Sequence, residues 1–282
     1  MSTPENLTRP ALILVAHGSS RHPHSIEPML ELARLIEQRK LFAEVKAVFM
    51  KGEPKVAIPS ALVKARPIIV VPMFMGQGYY TDTLVPLALD LENDPSILYT
   101  APVGTHSAMP GLLLKRALLT AEKAKLPPQT STLYLVAHGS SRPGGSGETA
   151  QSILQALRKM GRFSQVELGF LEQEPRAEFW RDTLPKSDVI ILPLLVATGA
   201  HANQDLPRIF GPAEDSGDSS VSRQKGHTAR RVIVASSLGV EPDLVDLVIE
   251  LATCHYDTSK YQQSVPIEHI DPDTTVVPEP SL

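Results

Sequence analysis

The sequence lacks several features that mark common functional classes. Among its 282 residues there is one cysteine, Cys254, which excludes an intrachain disulfide, a thiolate zinc knuckle and a cysteine-ligated iron–sulfur cluster. No apolar run approaches the roughly 20 residues that a membrane-spanning helix needs. The first residues show no charged segment followed by an apolar one, as a signal peptide would. We therefore expect a cytoplasmic protein with no membrane partner.

Basic charge and nucleotide-binding motifs are also scarce. The 27 Lys and Arg residues against 31 Asp and Glu residues give a formal net charge of −4, whereas nucleic-acid binding usually needs a basic face. The glycine-rich stretch at 142–148 is not followed by Gly-Lys-Ser/Thr, so it is not a Walker motif. We expect neither a nucleic-acid partner nor an organic cofactor. With 42% hydrophobic residues, the chain has enough apolar side chains for a globular core.

What the chain does contain is an internal repeat. The segment LILVAHGSSR begins at Leu12, and LYLVAHGSSR begins at Leu133, 121 residues later. The same offset aligns further pairs without a gap: Phe42 with Phe163, Phe49 with Phe170, Glu53 with Glu174, Pro72 with Pro193, Gly78 with Gly199, and Pro86 with Pro207. A shared register over so many positions indicates a duplicated domain. We place the N-terminal repeat at 1–126, the C-terminal repeat at 127–258 and a polar tail at 259–282.

After Pro207 the alignment continues only with 14 extra residues in the second copy, where Gly239 matches Gly104. The extra residues fall within Gly211 to Arg231, a stretch rich in Gly, Ser and charge that we expect to form a mobile surface loop. Elsewhere short apolar runs alternate with helical patterns. This alternation predicts an α/β fold, namely two tandem doubly wound domains with parallel four-stranded sheets.

The predicted elements of the second copy are given in chain order: a strand over TLYLVA, a helix around Glu148 to Met160, a strand over QVELGF, a helix after Pro175, a strand over VIILPLL, a helix near Ala202 to Ile209, a strand over RVIVAS, and a last helix over Pro242 to Cys254.

Three side chains of the second copy follow its first three strands. His138 comes directly after TLYLVA, Glu172 just after QVELGF, and His201 in the turn that leaves VIILPLL. The carboxyl ends of parallel strands share one sheet edge, so the topology brings these residues together. Each one alone has an ordinary explanation as a turn or loop residue. Together they predict a site, and two imidazoles with a carboxylate suit Fe²⁺, Co²⁺, Ni²⁺ or Zn²⁺ better than Mg²⁺ or Ca²⁺.

The first copy keeps only part of this set. His17 matches His138, but Lys51 stands at the position of Glu172 and Tyr80 at the position of His201. A lysine is protonated at neutral pH and is a poor ligand for a divalent metal. If one copy binds a metal, we expect the second.

The order of motifs resembles the sirohydrochlorin cobaltochelatases and ferrochelatases of the CbiX/SirB type, the class II chelatases, in a two-repeat form. The motifs are VAHGSSR at 136–142, FLEQEP at 170–175 and LPLLVATGAHANQDLP at 192–207. The resemblance implies that His138, His201 and Glu172 bind the metal and serve its insertion. For the substrate it implies contacts with Ser140, Arg142, Gly199 and Arg208. From the first copy, Arg21 and Lys51 are further candidate cations for the substrate carboxylates.

The activity implied by the resemblance is the insertion of Co²⁺ or Fe²⁺ into sirohydrochlorin without ATP, in cobalamin or sirohaem biosynthesis. The metal is then a substrate, and the partner is the tetrapyrrole. Two alternatives stay open: a tetrapyrrole or metal carrier without turnover, and a chelatase for nickel or another modified tetrapyrrole. Because a duplication commonly replaces a homodimer, we expect a monomer that acts as an internal pseudo-dimer.

Overall fold

The computed structural model of the protein describes residues 9–19, 23–139, 147–196, 205–211, 219–223, 230–239 and 241–264. The first repeat contains these strands and helices: β1 (Ala11–Gly18), α1 (Glu27–Gln38), β2 (Glu44–Lys51), α2 (Pro59–Leu62), β3 (Ile68–Pro72), α3 (Val85–Leu89), β4 (Ile97–Tyr99) and α4 (Met109–Lys123). A π-helical turn, Tyr80–Leu84, precedes α3.

The second repeat follows the same plan with one addition. Its elements are β5 (Thr132–Ala137), α5 (Gly147–Met160), β6 (Gln165–Phe170), α6 (Trp180–Thr183), β7 (Val189–Pro193), α7 (Leu206–Phe210), β8 (Ser219–Arg223), β9 (Arg231–Ala235) and α8 (Pro242–Ser264). The addition is β8, which has no counterpart in the first repeat.

Two separate sheets confirm the α/β duplication. The first has the strand order β2-β1-β3-β4 and the second the order β6-β5-β7-β9-β8. All pairs are parallel except β8 with β9. The repeats also share their register, because Leu12 pairs with Val45 and Leu133, 121 positions on, pairs with Val166. The predicted set of four parallel strands is present in each repeat.

The structure corrects two details of the prediction and describes a third only in part. The insertion that we expected to be a loop contains the antiparallel edge strand β8, because backbone pairing with β9 does not require an apolar pattern. The last helix runs on to Ser264 instead of ending at Cys254, so the polar character of the segment after Tyr256 does not stop it. The helix predicted near Ala202 is described only as α7, which starts at Leu206, and residues 202–204 lie outside the described part.

Both faces of each sheet are buried, as the continuous apolar strands require. Along β1, Leu12 and Leu14 belong to the core between the repeats, whereas Ile13 and Val15 belong to an outer core, and none of the four is exposed. This alternation is the two-residue period of a strand. On the outer face of the second sheet, the matching residues Tyr134 and Val136 belong to a core that includes Trp180 of α6.

The last helix of each repeat packs on the sheet of the other repeat. Helix α4 contacts β7 and β9, and helix α8 contacts β3 and β4. At the end of α4, the carbonyl oxygen of Ala124 accepts a hydrogen bond of 3.4 Å from Arg231 Nη1 at the start of β9. One hydrophobic cluster therefore includes Leu14, Leu113, Leu135 and Val248 from both repeats. The two copies form one folded body. Among the described helices, none is both long and apolar enough to cross a membrane.

Candidate metal centre

His138 and Glu172 meet at the carboxyl edge of the second sheet. Strands β5 and β6 pair in parallel up to Ala137 with Phe170, so the residues that follow leave the sheet side by side. The Glu172 backbone N–H donates a 2.9 Å hydrogen bond to the His138 carbonyl oxygen. Their side chains approach as well, with His138 Nε2 at 3.6 Å from Glu172 Oε1. The predicted meeting of these two residues is confirmed.

The His138 ring is oriented by its own loop. Its Nδ1 lies 3.0 Å from the Gly139 carbonyl oxygen. A carbonyl only accepts, so we assign the proton of the neutral ring to Nδ1, which leaves a lone pair on Nε2. That lone pair faces the Glu172 carboxylate. A separation of 3.6 Å lets one ion contact both atoms at ordinary ligand distances of about 2.1 Å. These two atoms could therefore hold one metal ion between them.

Solvent reaches this pair. The His138 side chain is 37% exposed and the Glu172 side chain 58% exposed. An ion arriving from solution can therefore reach both side chains directly. This openness suits a metal that is exchanged during a reaction better than a permanently enclosed structural ion.

Gly139 sets the direction in which the chain leaves β5. Its φ of +78° is unfavourable for residues with a side chain, and a Cβ there would lie 2.9 Å from Gln173 Cγ and 3.1 Å from Phe170 Cβ. The glycine lets the loops after β5 and β6 approach closely. This approach brings His138 to Glu172.

The matching edge of the first sheet has different side chains. His17 Nδ1 lies 2.8 Å from the Gly18 carbonyl oxygen, repeating the ring orientation of His138. Its Nε2 is 3.0 Å from the Tyr80 hydroxyl oxygen, and the two rings meet edge to face at 4.9 Å. Tyr80 also stacks on Phe74, with ring centroids 5.8 Å apart. The alignment of Tyr80 with His201 was visible in the sequence, whereas the contacts with His17 and Phe74 were not.

Only some of the remaining predicted site residues lie in the described part of the structure. His201, Ser140, Arg142 and Gly199 lie outside the described residues, as does Arg21 of the first repeat. Arg208 lies on α7, with its Nη2 3.6 Å from Asp205 Oδ1. Within the described ranges, no group of three or more His, Cys, Asp or Glu side chains could hold a metal. The part of the predicted site that is described consists of His138 and Glu172.

Solved structures with the same fold define the class as chelatase-like. A multi-domain protein from Deinococcus radiodurans, described as structurally similar to chelatases, matches with a TM-score of 0.69 at 23% identity; the match covers 92% of this chain but only 60% of that one. SirB from Bacillus subtilis, solved with Fe³⁺, matches with a TM-score of 0.65 at 18% identity, covering 90% of this chain and 98% of that one. At these identities, the likeness concerns the fold.

Sequence comparison identifies the family. The CbiX family model matches residues 11–119 and again residues 132–253, so the chain belongs to the CbiX family and carries its domain twice. A protein of Halobacterium salinarum described as a probable sirohydrochlorin cobaltochelatase is 28% identical over 267 residues. That alignment covers 86% of this chain and 90% of the relative. The resemblance found in the motifs is confirmed.

Proposed function

We propose that this protein is an enzyme that inserts a divalent metal ion into sirohydrochlorin, and that the C-terminal repeat performs the insertion. The observation that carries the proposal is the 3.6 Å approach of His138 Nε2 to Glu172 Oε1 at the strand ends. Lys51 and Tyr80 replace two of the three proposed ligands in the first repeat. The relative of similar length is described as a probable cobaltochelatase, which favours Co²⁺; Fe²⁺ and Ni²⁺ are the metals to test beside it.

The first repeat supports His201 as the third member of the site. His201 aligns with Tyr80, and Tyr80 Oη lies 3.0 Å from His17 Nε2. His17 in turn aligns with His138. A histidine at the Tyr80 position is therefore expected to reach the imidazole that matches His17. This internal comparison supports the proposal that His201 belongs to the same site as His138 and Glu172.

The proposed reaction is an exchange of two protons for one metal ion. Sirohydrochlorin loses its two inner N–H protons as the metal bonds to the pyrrole nitrogens, and no electron or phosphate is transferred. A neutral imidazole either binds a metal or accepts a proton near neutral pH, so His138 and His201 serve as ligand and base. Glu172 offsets the charge of the ion and relays protons to solvent. Neither ATP nor an organic cofactor takes part.

The carboxylates of the substrate would be bound by cations and polar groups at the carboxyl edge of the second sheet. We assign this contact to Arg142 and Arg208, with Ser140 and Gly199 lining the approach. The Arg208 side chain is 67% exposed and lies beside Asp205, so a carboxylate can reach it. The two repeats share one core, so we propose that a monomer acts as an internal pseudo-dimer.

Anaerobic absorbance of sirohydrochlorin with the purified protein and Co²⁺, Fe²⁺ or Ni²⁺ tests the proposal. For Glu172→Gln, His138→Ala and His201→Ala we expect the insertion rate to fall by roughly 100-fold, the scale of one lost acid–base group. Glu174→Gln is the matched control: its carboxylate accepts the Arg176 backbone N–H at 3.0 Å, a bond that glutamine preserves. Stoichiometric binding without turnover would support a carrier instead, and unchanged rates in all three variants would refute this site.

A further inference from the structure

The loops that follow β2 and β6 have the same backbone arrangement. In each, the phenylalanine before the loop bridges to the residue six positions on, Phe49 to Lys55 and Phe170 to Arg176. In each, a glutamate carboxylate accepts a 3.0 Å hydrogen bond from the backbone N–H two residues later. Lys55 donates to Glu53, and Arg176 donates to Glu174. The loops at 51–55 and 172–176 therefore present their first side chains in equivalent positions. The repeats differ there in the chemistry of Lys51 and Glu172.

This difference reverses the charge of the loop. Loop 51–55 contains two lysines and one glutamate, whereas loop 172–176 contains two glutamates and one arginine. The Lys51 side chain is exposed. Among the residues that the structure describes, no hydrogen bond or ion pair involves its ammonium group. An exposed cation that is not neutralised by the described part of the fold is suited to binding an anion.

Aromatic rings lie at the same sheet edge as this cation. Lys51 pairs in register with Gly18, the neighbour of His17, and His17 contacts Tyr80, which stacks on Phe74. His17 is exposed, and Tyr80 and Phe74 are half-buried. The edge thus combines a cation with a partly accessible layer of rings. It offers few metal ligands, because the Tyr80 hydroxyl already bonds His17 Nε2 and lysine is protonated.

We propose that the first repeat is a second binding site, specific for the metal-free carboxylated tetrapyrrole. Lys51 binds a peripheral carboxylate, and the ring layer of His17, Tyr80 and Phe74 contacts the flat macrocycle. The first repeat binds the metal-free tetrapyrrole, while the second repeat binds the metal and inserts it. The identity of the ligand rests on the proposed function; the chemistry of the site, a cation at the same sheet edge as aromatic rings, does not.

Equilibrium binding of metal-free sirohydrochlorin to the full chain tests this site. The measurement is anaerobic absorbance or fluorescence quenching with a chelator present, in a His138→Ala background that removes the proposed metal ligand. In that background we expect Lys51→Gln to raise the Kd about threefold to tenfold, the range for one charge-assisted contact. Lys51→Arg keeps the charge and should bind within twofold of the parent, about the scatter expected of an exposed surface change.

Two further variants separate a local contact from general effects. Lys46→Gln removes the same charge from β2 about 16 Å away, five residues at about 3.3 Å each, and should leave the Kd unchanged. Tyr80→Ala removes the ring and should weaken binding, whereas Tyr80→Phe keeps the ring and should retain it. Circular dichroism verifies that each variant is folded.

The outcomes distinguish this proposal from the proposed function. A selective loss of binding in Lys51→Gln and Tyr80→Ala supports the site, whether or not the wild-type protein inserts metal. Equal binding by Lys51→Gln, Lys46→Gln and the parent would overturn it, even if insertion at the second repeat is fast. Absence of sirohydrochlorin binding by the His138→Ala parent would overturn it too.

Discussion

At the residue scale, two substitutions distinguish the proposed metal site of the second repeat from the same edge of the first. Lys51 stands for Glu172 and Tyr80 for His201, whereas His17 keeps both the position and the ring orientation of His138. The first repeat therefore retains the scaffold of the proposed metal site but lacks two of the proposed ligands. Reversing both substitutions should restore it.

We expect the double variant Lys51→Glu, Tyr80→His to bind a second Co²⁺ ion. The change supplies a carboxylate and an imidazole beside His17, and it removes the hydroxyl that bonds His17 Nε2. Calorimetric titration under anaerobic conditions should give a stoichiometry rising from one ion to two. The single variant Lys51→Glu is the control. A stoichiometry of one ion in the folded double variant would show that other positions also prevent the first repeat from binding metal.

Gly18 is the residue on which the turn after β1 depends most directly. A Cβ there would lie 2.0 Å from the Lys51 carbonyl oxygen, at a φ of +67°. Gly161 has a similar φ of +60° but open space around it. We expect Gly18→Ala to lower the free energy of unfolding by more than about 2 kcal/mol and Gly161→Ala by about 1 kcal/mol, the cost of left-handed backbone alone. Urea denaturation compares them, and equal losses would refute the steric argument.

Only part of the arrangement at the two sheet edges could be predicted from the sequence. His138 and Glu172 could be brought together because each follows a strand, and parallel strands end at one edge. The ring layer of the first repeat could not be predicted, because the contact of Tyr80 with His17 depends on a π-helical turn at Tyr80–Leu84. Residue spacing does not specify such a turn.

At the scale of elements, helix α4 links the repeats. Arg116 on α4 forms an ion pair with Glu241 and donates a 2.6 Å hydrogen bond to Ser236 Oγ, both in the segment between β9 and α8. The side chains of the pair are only 14% and 17% exposed. The sequence predicted a last helix over Pro242 to Cys254, but not that α4 and α8 each pack on the sheet of the other repeat. Likewise, strand β8 could not be predicted from the polar composition of 211–231.

We expect Arg116→Met to destabilise the protein by about 2–4 kcal/mol, because it leaves a largely buried carboxylate without its cation. Arg34→Met is the matched control, since its partner Glu31 is 43% exposed and exposed pairs contribute roughly 0–1 kcal/mol. Thermal unfolding followed by circular dichroism measures both. Similar melting temperatures for the two variants would indicate that the ion pair at α4 does not hold the repeats together.

At the scale of the whole molecule, the shared core predicts cooperative unfolding. The single tryptophan, Trp180, is buried in the second repeat, so its fluorescence reports that repeat alone. Leu14→Ala empties a fully buried position in the first repeat and should cost about 2–5 kcal/mol. We expect the Trp180 transition to shift with the far-UV transition. A Trp180 midpoint unchanged by Leu14→Ala would mean that the repeats unfold independently.

We assign the metal to one repeat and a metal-free tetrapyrrole site to the other. The most direct test is the initial rate of Co²⁺ insertion into sirohydrochlorin by His138→Ala relative to the wild type. We expect this rate to fall roughly 100-fold while sirohydrochlorin itself is still bound. Insertion at the wild-type rate by a folded His138→Ala protein would contradict the assignment of catalysis to the second repeat.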